Sequence, residues 1–136
     1  MNSTINNKDI EILKARLTVN RIDKDTSMKS DESLQLIINK IQSVVLDTQT
    51  LSDALYSVAN GGFLKGAQFE LQSMLNKDKV SNRELDIKVF RFCVKVWLAV
   101  EYDANFAIAD FFATWLYRNL PKEVSRQVID DIYSAL

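Results

Sequence analysis

Glu84, Lys88, Arg91 and Lys95 are spaced four, three and four residues apart through a stretch otherwise rich in Val and Phe. On a helix this spacing makes a single polar stripe, whereas on a strand Lys88 and Arg91 would lie on opposite faces. The stretch is therefore read as a helix from Ser81 to Val100, although its composition alone would suit a strand. Ser81-Asn82-Arg83-Glu84 supports this start as a capping box, with a hydroxyl at the N-cap and a carboxylate three residues on. Only a narrow stripe is polar, so Val89, Phe90, Phe92, Cys93, Val96, Trp97 and Val100 must be covered by other elements or by a second chain.

The flanking segments follow the same period. Leu34, Ile37, Ile38, Ile41, Val44, Val45 and Thr48 step by three and four, which predicts a helix over Ser33–Gln49. Thr50 and Asp53 suggest a capping box for a short helix that carries Leu51, Ala54, Leu55 and Val58 inward and stops at Asn60-Gly61-Gly62. A helix over Phe63–Asn76 would bury Leu64, Ala67, Leu71, Met74 and Leu75, with Lys77-Asp78-Lys79 as connector. Asp103 is read as the cap of a helix over Ala104–Asn119. Pro121 suits the first turn of a last helix with Val124, Val128, Ile129, Ile132 and Leu136 on its apolar side. At the amino end, Ile10, Leu13 and Leu17 mark a helix from Lys8 to about Asn20, followed by an aperiodic loop to Asp31 that would leave residues 1–30 as a semi-detached arm.

Three glycines and one proline in 136 residues are too few for a sheet protein with many tight turns. The expected fold is all-α: a single domain over residues 1–136, an irregular or orthogonal bundle of six to seven helices. The Ser81–Val100 helix should be central, packed by the Ala104–Asn119 and Ser33–Gln49 helices.

Several kinds of chemistry are disfavoured. There is no His, and Cys93 is the single cysteine, which removes imidazole bases, His-dependent triads, zinc clusters and internal disulfides. Asn60-Gly61-Gly62 follows no strand and lacks the spacing of a phosphate-binding loop. Cys93 lies on a nearly all-apolar helix with no base on its face, and reads as a small hydrophobe. Asp130-Asp131 point about 100 degrees apart on a helix and read as a solvated face, while Glu101 with Asp103 makes no convincing acid and base pair. Asp110, within an apolar helix, is the acid expected to be partly buried and paired with Arg118 or Lys95. No spacing calls for a metal or an organic cofactor, and no enzymatic role is expected.

The formal net charge is −1, so no global field attracts nucleic acid or an anionic membrane. Residues 77–95 hold six bases against three acids, and residues 96–136 three bases against six acids. No apolar run approaches the roughly 20 residues of a membrane helix. The amino end lacks the pattern of a signal peptide, and one unpaired Cys suits a reducing compartment, so a cytoplasmic location is expected.

Ten of the 13 aromatic residues lie between Phe90 and Tyr133, an apolar surplus that either fills the core or makes an interface. The expected function is a non-enzymatic protein–protein interaction module that forms a homodimer. An adaptor, inhibitor, chaperone or immunity protein fits that description. Trp97, Phe112, Trp115 and Tyr117 are the expected anchors, and Lys88, Arg91, Lys95 and Arg118 the expected rim. The alternative is a small accessory subunit of a nucleic-acid complex that contacts phosphates through the Lys77–Lys95 basic stripe.

Overall fold

The computed structural model of the chain describes residues 31–77 and 82–136. Six helices occupy them, with no strand among the described residues: α1 (Asp31–Val45), α2 (Thr48–Ala59), α3 (Lys65–Lys77), α4 (Asn82–Tyr102), α5 (Phe106–Asn119) and α6 (Lys122–Ser134). The protein is an all-α helical bundle. The expected amino-terminal helix, the loop after it and the Ser81 cap lie outside the described residues, as do the side chains of Leu34 and Ile37.

α4 is the axis of the bundle, and it packs against α2, α3, α5 and α6. Its helical reading holds in spite of the Val and Phe content, because burial on several sides outweighs the small propensity penalty of β-branched residues. Val89, Phe90, Cys93, Val94, Trp97 and Leu98 are all buried. α1 packs chiefly on α2, which itself packs on α4 and α6, and it meets the end of α4 where the Lys40 ammonium lies 5.8 Å from the centre of the Tyr102 ring. Ile38, Ile41 and Val45 form the buried side of α1, in keeping with its period. Buried residues from all six helices belong to one core cluster.

Helix boundaries differ from expectation wherever two polar residues compete to cap. The break after α1 falls before Thr48 because Asp47 Oδ1 accepts from the backbone N–H groups of Gln49 and Thr50, at 3.1 and 3.2 Å. Thr50 is therefore inside α2 and caps nothing. Asp103 is likewise not the cap of α5; it adopts the left-handed conformation (φ 53°), and the next N–H, that of Ala104, reaches back to Leu98 O at 3.1 Å. Asn105 takes the capping role, its Oδ1 accepting from Ile108 N–H at 2.9 Å. Pro121 occupies the N-cap position of α6 rather than its first turn. α3 begins at Lys65, two residues later than expected, which leaves Leu64 in the preceding turn and half exposed instead of buried.

Candidate functional site

The second half of the polar stripe of α4, Arg91 and Lys95, faces α5. Arg91 Nη2 donates to Asp110 Oδ1 at 2.6 Å, and Lys95 Nζ lies 3.5 Å from the same oxygen. Pairing of Asp110 with Lys95 was legible in the sequence; its closer partner, however, is Arg91, and Arg118 lies at the far end of α5. The antiparallel packing of α4 and α5 explains this, since it sets the middle of α4 beside the first turns of α5 and the start of α4 beside Arg118. Two cations of the stripe expected to meet phosphates are thus engaged by a carboxylate of the chain itself.

The expected anchors divide by depth. Trp97, Phe112 and Trp115 are 2%, 0% and 6% exposed, so they belong to the core and are not available to a partner in the folded chain. Phe112 stacks edge-on against both Phe111 and Trp115, and Trp97 against Tyr102 at 5.9 Å. Tyr117 is half-buried, its ring 5.6 Å from that of Phe90. Of the expected rim, Lys88 and Arg118 are exposed, whereas Arg91 and Lys95 are partly covered.

The exposed apolar side chains lie elsewhere, Leu36 of α1, Tyr56 of α2 and Phe69 of α3 standing apart and three others standing together. Phe106, at the start of α5, is 72% exposed; Val100, near the end of α4, is 48% exposed; and Leu64, before α3, is 52% exposed. These three flank one groove of about 440 Å³, with Phe92, Val96 and Ala99 of α4 and Ala104 and Ala109 beside them. The small side chains at 99, 104 and 109 create the space that larger neighbours would fill. Lys95 is the one charged residue in the lining among the described residues; its ammonium lies 5.4 Å from the centre of the Phe106 ring and is shared with Asp110. The groove was missed in the sequence because Phe106 and Val100 sit among many apolar neighbours, and Leu64 had been assigned inward by helical phase.

Cys93 is buried, and burial pushes its thiol up to about 12, far from a nucleophile's range. Asp131 is half-buried and accepts from Ser52 of α2 and Gln127, while Asp130 is exposed and accepts from Arg126. The two acids thus make separate structural contacts, and the expected solvated face holds for Asp130 alone. Asp86 accepts from Tyr133 Oη at 2.6 Å and from Arg126 at 3.0 Å, joining α4 to α6. Among the described residues, no group of three or more His, Cys, Asp or Glu side chains could hold a metal ion, and no helix is long and apolar enough to cross a membrane.

No family model, no curated protein and no solved structure matches this chain.

Proposed function

We propose that the protein is a non-enzymatic interaction module of the cytoplasm, acting through the apolar groove between α4 and α5, and that the occupant of the groove is the same surface of a second copy. The observation that carries this reading is Phe106: a largely exposed aromatic ring standing beside an apolar groove of about 440 Å³. A patch with a projecting side chain and an adjoining hollow is self-complementary under a two-fold axis, with each Phe106 entering the other copy's groove. Val100 and Leu64 add apolar area around the contact. Lys95, at the edge of the groove, lies 3.5 Å from Asp110 Oδ1, which offsets part of its charge where two copies would approach. The buried Cys93 thiol, pushed up to about 12, supports a role in which it is not a nucleophile.

Light scattering behind a sizing column tests the proposal, on the full chain at low and high salt. A mass of two chains that is insensitive to salt and falls to one chain in Phe106→Asp is the expected result. A single-chain mass at every concentration up to the millimolar range overturns the dimer. So does a dimer that survives Phe106→Asp unchanged.

A further inference from the structure

The end of the bundle opposite the apolar groove carries a second concavity, of about 460 Å³, between the first turn of α4, the last turn of α5 and the first two turns of α6. Among the described residues four cationic side chains line it, Arg83, Arg118, Lys122 and Arg126, against one carboxylate, Asp86. Asp86 is already held by Arg126 and by the Tyr133 hydroxyl. Arg83, Arg118 and Lys122 make no ion pair with a described residue. They converge from three different helices, so their proximity is a product of the tertiary fold rather than of a local charge run. The amino end of α6 forms part of the same wall, and Pro121 supplies no side chain to cap it. Ser125 adds a hydroxyl, and Tyr117, Leu120 and Ile129 add an apolar flank.

We infer that this cleft binds a small molecule bearing a phosphate or pyrophosphate group. Cations gathered in a concave space repel one another unless an anion joins them. A single carboxylate is satisfied by one guanidinium, whereas three cations with the end of a helix match an anion of two or more charges and several oxygens. The volume falls in the range of small-molecule sites, roughly 300–1,000 Å³. The apolar flank would take the ring or chain that the phosphate esterifies.

Isothermal titration of the full chain with inorganic pyrophosphate, against sodium chloride of equal ionic strength, tests the assignment. Saturable one-to-one binding is expected, with Kd raised roughly tenfold or more in Arg118→Gln/Lys122→Gln and unchanged in Lys65→Gln, which removes a charge at the start of α3. Both substitutions are at exposed positions, and circular dichroism confirms that the variants fold. Heat no greater than that of sodium chloride, or equal affinity in the double variant, overturns the inference. A second arm uses phosphatidylcholine vesicles containing phosphatidic acid. Sedimentation with these vesicles, lost in the double variant and without binding of free pyrophosphate, would move the phosphate to a lipid surface and overturn the small-molecule assignment.

Discussion

Arg91 Nη2 lies 2.6 Å from Asp110 Oδ1, bridging the two helices that hold most of the aromatic residues. The two side chains are 36% and 24% exposed, so the pair is neither freely solvated nor deeply buried. Arg91 Nε is buried without a hydrogen-bond partner, which ties the guanidinium's benefit to this one carboxylate. Asp110→Asn is expected to lower stability by about 1–2 kcal/mol, more than an exposed pair and less than a fully buried one. Urea denaturation of Asp110→Asn, Arg91→Gln and the double variant gives the coupling; strict additivity of the two single effects would exclude an energetic link.

Phe106 and Phe112 are separated by six positions on α5, the first largely exposed and the second fully buried. Truncating Phe112 to Ala is expected to cost about 3–5 kcal/mol through lost burial and a cavity. Phe106→Ala is expected to change stability by no more than about 0.5 kcal/mol while weakening self-association. Thermal denaturation, paired with light scattering, separates the two outcomes. A large loss of stability in monomeric Phe106→Ala would return that ring to the core.

Stability is expected to decline in alkali. Burial raises the Cys93 thiol from 9.0 to about 12, and burial together with the hydrogen bond to Asp86 raises the Tyr133 phenol. Each group holds its proton more tightly folded than unfolded, so its contribution is complete below the unfolded pKa and is lost as pH rises toward the folded one. For Cys93 that window runs from pH 9 to about 12, with a slope near 1.4 kcal/mol per pH unit. Denaturant titrations between pH 7 and 11 should show this slope reduced in Cys93→Ala. The same thiol is expected to resist iodoacetamide until the chain unfolds.

The turn after α2 depends on two glycines for different reasons. Gly61 has φ 85°, a conformation that costs most residues about 1–2 kcal/mol, so Gly61→Ala is destabilising and Gly61→Asn less so. A Cβ on Gly62 would collide with Ser57 Oγ and lie 3.1 Å from Ser57 O. Gly62→Ala is thus destabilising as well, and Ser57→Ala in the same chain should recover part of the loss. Melting temperatures of the four variants check both statements.

The helices were legible in the sequence because amphipathic period is a local property. Ile38, Ile41 and Val45 step along one side of α1, and the four-three-four stripe distinguished helix from strand in α4, the least strand-averse segment of the chain. The pairing of Asp110 with Lys95 was legible for a similar reason, since a lone acid in an apolar helix needs a cation. Caps were less legible: Asp47 and Thr50, or Asp103 and Asn105, offer equivalent side chains a few residues apart, and the choice rests on backbone geometry that neighbouring helices impose.

Only the tertiary structure decided which aromatic residues face inward. α4 and α5 are apolar on nearly every side, so their periodicity carries no direction, and the packing of α2, α3 and α6 on α4 buried Trp97, Phe112 and Trp115 while leaving Phe106 and Val100 uncovered. The same packing brought Arg83, Arg118 and Lys122 to one cleft from positions up to 39 residues apart. Period is written in neighbouring residues; convergence depends on how whole helices fit against one another, and that fit is set by side-chain volume summed over the entire core.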